Sequence, residues 1–244
     1  MGAIRTIAGR ELRSYFATPL AYVFIVIFLA LAGLFTFYLG GFYERGQADL
    51  EPFFNYHPWL YLFLVPAIAM RLWAEERKSG SIELLMTLPV TPWQAVLGKY
   101  LAAWLFILVA LVLTFPIWIT VNYLGDPDNG VILATYLGSL LMAGAFLAIG
   151  SCISAANRNQ VVAFIITVVI CFLFMLAGFP LVMNFFSGWL PGRLLDAVAS
   201  LSFLTHYAAI SKGMLDIRDV LYFVLVIAVW LGATTIVLDL KKAD

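Results

Sequence analysis

The sequence predicts an all-α integral membrane protein with six transmembrane helices. Three observations carry that fold class. Of 244 residues, 64% are hydrophobic and 11% charged, with a mean hydropathy of +0.99; a soluble domain of this size needs far more polar surface. Six runs approach the ~20 apolar residues that a helix needs to cross a bilayer: 20–43, 56–73, 100–124, 131–155, 161–186 and 220–238. No Asp, Glu, Lys, Arg or His falls in the interior of any run: His57 and Arg71 stand at the edges of the second, and Asp219 and Asp239 bracket the sixth. With 14 basic and 14 acidic residues the net charge is zero, so bulk electrostatics predicts no nucleic-acid partner. There is no room for a separate soluble domain, and 1–244 reads as one unit.

Residues 1–18 come first. Ile4, Ile7, Ala8, Leu12 and Tyr15 recur at helical spacing, with Arg5, Arg10 and Arg13 elsewhere on the wheel. This predicts an interfacial helix on the inner membrane surface; the competing reading is a basic topology signal with incidental periodicity. The first run is longer than a signal h-region, so no cleaved leader is expected. The second run is the shortest, and Pro66 predicts a kink in it. Thr91, Pro92 and Gln94 form a start signal, with an N-cap, proline at the first helical position and glutamine three residues on. A helix from Pro92 to Leu124 is roughly 50 Å long, more than the ~30 Å hydrocarbon core, so its first turns protrude; Pro116 predicts a kink. Between the third and fourth runs, 125–130 is a turn cluster. In the last loop, Leu194, Leu195, Val198, Leu201 and Leu204 predict short helices packed on, or dipping into, the outer leaflet.

Basic residues near span ends fix the orientation. With the N-terminus inside, ten fall inside (Arg5, Arg10, Arg13, Arg71, Arg77, Lys78, Lys99, Arg158, Lys241, Lys242) and four outside (Arg45, Arg193, Lys212, Arg218). Both termini are therefore expected in the cytoplasm, in a multi-pass protein of the inner membrane.

What is missing narrows the chemistry. Buried carboxylates for a proton relay and an H-E-x-x-H metal set are absent. So is a G-x-x-x-x-G-K-[ST] phosphate loop: Gly98-Lys99 is followed by Tyr100 and has no glycine at the required spacing. A serine hydrolase needs a base beside its nucleophile. The two histidines, His57 and His206, are expected near the outer face, His57 as an interfacial anchor. Ser139, Ser151 and Ser154 are expected to permit close helix packing with Gly138, Gly144 and Gly150. Cys152 and Cys171 read as small buried hydrophobes. No catalytic, cofactor or metal residue is assigned, and any energy source lies in another chain.

The densest charge cluster is AEERKSGSIELLMTLPVTPW, residues 74–93. Glu75, Glu76, Arg77 and Lys78 are expected in water or headgroups. Gly80 reads as an N-cap with Glu83 at the capping-box position, opening a short apolar helix that Pro89 ends. About two turns are too few to stand alone, so the element at 74–92 needs a surface, either the bilayer or a groove on a partner.

The run from Glu76-Arg77 through Gly80-Ser81, Glu83, Leu85 and Pro89 resembles the E-R-x-x-G-[TS]-x-E-x-L-x-x-x-P pattern of ABC-2 type transporter permeases. Ser81 stands where threonine is common. Met70-Arg71-Leu-Trp-Ala-Glu-Glu, Thr91-Pro-Trp-Gln-Ala-Val-Leu-Gly98-Lys99 and the later Leu201, His206, Gly213, Asp216, Arg218, Asp219 and Tyr222 are similar to the gliding-motility-associated branch. The likeness covers essentially the whole chain. It implies a coupling helix that docks on a cytoplasmic ATP-binding subunit, which binds the ATP and magnesium. It places Glu75, Glu76, Arg77, Gly80, Ser81 and Glu83 in shaping that element, and Leu84, Leu85 and Pro89 at the docking face and its end. The partners it implies are that ATPase, a second permease copy, and a membrane subunit with a large extracytoplasmic domain. The function it implies is ATP-driven export. Uncharged, aromatic-rich spans favour an apolar or amphipathic cargo. Two alternatives remain open: force transmission to an extracytoplasmic partner without cargo, and an integral membrane enzyme.

Overall fold

The computed structural model describes residues 2–80, 82, 90–186, 191–214 and 216–240. Among them every regular element is helical: α1 Gly2–Ala17, α2 Pro19–Leu34 running on into a π-turn at Phe35–Leu39, α3 Glu51–Asn55, α4 His57–Ala69, α5 Arg71–Ser79, α6 Pro92–Val112, α7 Phe115–Leu124, α8 Asn129–Ala156, α9 Gln160–Leu176, α10 Pro180–Phe186, α11 Gly192–Ala199, α12 Phe203–Ser211 and α13 Ile217–Leu240.

The bundle is organised around α8. Helices α4, α5, α6, α9, α12 and α13 all pack on it, and its small residues make that possible. A Cβ on Gly150 would lie 2.4 Å from the Ala69 Cβ, so α4 and α8 approach at a distance that no larger residue allows. The outer helices instead expose Val26, Ile165, Val229 and Ile236, an apolar periphery suited to lipid.

Local rules explain the helix ends. Asp128 accepts from Gly130 N and Val131 N (2.9 and 3.2 Å) to start α8. Thr91 and Gln94 close a reciprocal capping box with Pro92 at the first position of α6. The long third run breaks at Leu113–Thr114, two residues before Pro116, where proline cannot complete the ladder.

Among the described residues four helices are long and apolar enough to cross a membrane: Pro19–Leu39, Pro92–Leu124, Asn129–Ala156 and Ile217–Leu240. The second and fifth expected spans are shorter. Helix α4 has 13 residues, about 20 Å, and the chain turns at Met70 into α5. The fifth run divides into the 17-residue α9 and the separate α10.

Two expectations need correction. In the last loop, Val198 and Leu201 are exposed, but α12 is not a surface helix: Phe203 and Ile210 are fully buried, and Tyr207 Oη donates to the Phe54 carbonyl at 3.1 Å. His57 is not an interfacial anchor either. It is 0% exposed, with the rings of Phe53 and Phe54 edge-on to it, because α3 folds its phenylalanines back over the start of α4.

Candidate functional site

The site lies where α4 turns into α5. The first amides of a helix have no intrahelical acceptor, and those of Trp73 and Ala74 point at α8. Ser154 Oγ accepts from both, at 3.1 and 3.0 Å, and donates to the Met70 carbonyl at 2.9 Å. A serine on one helix thus caps another. Ser151 Oγ accepts from Trp73 Nε1 at 3.1 Å, and Trp73, Ser151 and Ser154 are all buried. Arg77 Nη1 donates to the Ala155 carbonyl. The serines expected to permit packing therefore also bind, and Trp73 is buried in the bundle.

Lys99, near the start of α6, holds the other side. It is 4% exposed. Its Nζ donates to the Leu72 carbonyl at 3.1 Å and to Glu76 Oε1 at 2.6 Å, lies 3.7 Å from Glu11 Oε1 on α1, and sits 5.1 Å from the centre of the Trp73 ring. A buried ammonium persists only with such compensation. Glu76 is correspondingly partly buried rather than in water, and its Oε2 has no hydrogen-bond partner among the described residues. Sequence reasoning counted Lys99 as a topology charge, rejected it as part of a phosphate loop and quoted it in the family likeness, but did not expect it to be buried and paired. The signal that could have found it is a lone lysine inside the protruding turns of an apolar helix, opposite a segment rich in glutamate.

Helix α1 runs alongside α6. Part of its apolar face is covered there: Ile7 and Ala8 are buried, and Tyr15 stacks on Phe106 at 5.4 Å. Burial, then the neighbouring Glu11 carboxylate, pushes the Tyr15 phenol above its ordinary range. Arg5, Arg10 and Arg13 are exposed, and Arg10 pairs with Glu11 at 2.9 Å.

Gly80 corrects another expectation. It has φ +74° and ψ 0° and closes the C-terminal end of α5, as glycine does at left-handed caps; it is a stop, not the N-cap of a following helix. Ile82 packs partly buried against the core. Ser81, Glu83, Leu84, Leu85 and Pro89 lie outside the described residues.

A second polar cluster bears on the enzyme alternative. His57 Nδ1 and Tyr61 Oη each lie 2.8 Å from Ser139 Oγ. The expectation that no base stands near a serine is therefore wrong. Both His57 and Ser139 are 0% exposed, so no substrate reaches the hydroxyl, and the pair ties α4 to α8. The C-terminal residues singled out by resemblance also converge: His206 Nδ1 lies 2.6 Å from Asp219 Oδ1, and its ring stacks on Tyr222 at 3.9 Å. Among the described residues no group of three or more His, Cys, Asp or Glu side chains is placed to hold a metal.

Residues 46–238 match the family model described as ABC-2 family transporter protein. That match covers most of the chain. The protein belongs to the ABC-2 transporter family. A search of curated proteins gives no match. Membership makes this ABC-2 chain a multi-pass membrane protein and the permease component of an ABC transporter, a class whose ATP hydrolysis resides in an associated ATP-binding subunit. In this ABC-2 permease, the α4–α5 turn is the point at which α5 meets the packed centre of the bundle.

Proposed function

We propose that the protein is an exporter subunit for an apolar or amphipathic substrate, moved by a separate ATPase through the segment that follows α5. On this reading the chain crosses the inner membrane six times with both termini cytoplasmic, α1 lies at the inner interface, and two permease copies work with two ATPases. The observation that supports it best is the double attachment of α5, to α8 through Ser154, Ser151 and Arg77 and to α6 through Lys99 and Glu76. A push delivered beyond Gly80 then reaches both helices together, with α5 as the transmitting rod. Glu75, Glu76, Arg77 and Gly80 shape that rod. Ser81, Glu83, Leu84, Leu85 and Pro89 belong to the docking segment.

The test is co-purification with the ATP-binding subunit followed by transport in vesicles. Glu83→Ala combined with Leu85→Asp is expected to release the ATPase or to leave its hydrolysis uncoupled from efflux. Unchanged assembly and transport in that double variant would remove the docking role.

A further inference from the structure

A cavity of ≈ 290 Å³ opens between α1, α2, α5 and α6. Its lower wall is apolar, with Leu20, Phe24, Ile68 and Phe106, and its rim carries Glu11, Arg71, Glu75, Glu76 and Lys99. Three of these charges are committed: Lys99 to Glu76, and Glu11 to Arg10 and Lys99. Arg71 and Glu75 are not. Both are exposed, and neither side chain has a hydrogen-bond or ion-pair partner among the described residues. They stand one turn apart on α5 yet do not pair with each other, consistent with the weaker i, i+4 order in which the base precedes the acid.

Their order along α5 has chemical content. With Ser79 toward the cytoplasm, Arg71 lies nearer the bilayer and Glu75 about 6 Å further out. A phospholipid with an ethanolamine headgroup presents the same sequence from its acyl chains outward: a phosphate, a two-carbon spacer, then a primary ammonium. The guanidinium fork suits the phosphate, and the carboxylate accepts from the ammonium. The apolar wall continues inward. A small crevice of ≈ 10 Å³ shares Phe24 and Ile68 with the cavity; it is too small to admit an acyl chain, so the chains would stay in the bilayer against the exposed Leu20. The volume is at the small end of ligand sites, right for a headgroup and too small for a bulky cargo.

We infer that this cavity is a binding site for a zwitterionic aminophospholipid of the inner leaflet, with Arg71 on the phosphate and Glu75 on the ammonium. The inference rests on the orientation proposed above, and it holds whatever the complex transports. Occupancy places a lipid against α1, α5 and α6 together, so the membrane itself completes the junction.

The complex of permease and ATPase, reconstituted into nanodiscs with equal parts of phosphatidylethanolamine, phosphatidylglycerol and phosphatidylcholine, tests this by native mass spectrometry of the lipids retained. The expected result is at least about threefold more ethanolamine lipid than either of the others, the scale of one exposed charge contact. Arg71→Gln is expected to lower retention of all three lipids. Glu75→Gln is expected to erase the preference for ethanolamine over glycerol while keeping total retention. Size exclusion and thermal melting confirm that each variant is folded. Equal retention of the ethanolamine and glycerol lipids by the unaltered protein overturns the site, as does a preference that survives both substitutions. Loss of the ATPase from either variant with lipid retention unchanged also overturns it, by assigning the pair to a protein interface. If the ATPase never associates but the lipid preference holds, the permease reading fails and the lipid site stands.

Discussion

Ser154→Ala is the sharpest probe of the α4–α5 turn. The hydroxyl makes three hydrogen bonds: from the Trp73 and Ala74 amides and to the Met70 carbonyl, all between 2.9 and 3.1 Å. Removing one oxygen strands two N–H donors and one carbonyl at a fully buried position. Net values run from about 0.6 kcal/mol per interhelical bond in a bilayer to about 1 kcal/mol in soluble proteins. Three bonds therefore give about 2–3 kcal/mol, or roughly 30- to 150-fold in the local opening equilibrium. Ser151→Ala is the internal control. It removes a single bond, from Trp73 Nε1, and is expected to cost about 0.6–1 kcal/mol, three- to fivefold. Amide hydrogen exchange of the purified complex in nanodiscs reads the effect directly. Trp73 and Ala74 should lose protection in Ser154→Ala and largely retain it in Ser151→Ala. Equal protection in the two variants, or none lost in Ser154→Ala, would show that the serine does not cap α5.

Two further outcomes follow from the ion pairs. Lys99→Met leaves Glu76 partly buried without its cation, and the loss should fall toward the low end of ~3–5 kcal/mol, since the Glu76 side chain keeps 23% exposure. Adding Glu76→Gln should recover most of that stability, which a double-mutant cycle of melting temperatures will show. In the connection between α2 and α3, the hydrogen bond from Arg45 holds the Glu51 carboxyl below its ordinary range. A carboxyl depressed in this way adds stability above its unfolded value and loses it as pH falls through the folded value. The melting temperature of the unaltered protein should therefore exceed that of Glu51→Gln slightly at neutral pH, and the two should converge on acidification. The difference is small because the Glu51 side chain is 61% exposed and the pair is screened by solvent.

What could be read from the sequence was what short-range chemistry decides. The capping box at Thr91 and Gln94 is complete within four residues, and the break before Pro116 follows from a missing amide. The small residues of α8 also announced close packing. The turn at Met70 had no local mark of its own: Pro66 foretold a kink, but the chain breaks four residues later, where Ser154, more than 80 residues away, takes up the freed groups. Gly80 suits either end of a helix. Reading it correctly required knowing that Glu75–Ser79 is helical, and those charges looked like a loop because their partners, Lys99 and the Ala155 carbonyl, lie elsewhere in the chain. His57 was misplaced because its covering rings, Phe53 and Phe54, precede the expected span. The enzyme alternative lost one premise there, the absent base, while burial of both groups supplied a different reason against it.

Helix α8 is a stiff rod whose Ser154 end is tied to the α4–α5 turn. From Ser154 to Gly138 is 16 residues, about 24 Å. A tilt of about 5° pivoting on Ser154 sweeps Gly138 through about 2 Å. There is no clearance for that sweep, since a Cβ on Gly138 would already lie 2.8 Å from Ile210 Cγ2. Helix α12 must ride along, and through His206 and Asp219 it carries the start of α13 with it. On the proposed function, a push on α5 would in this way be geared to the far end of α8, with little play between stroke and response.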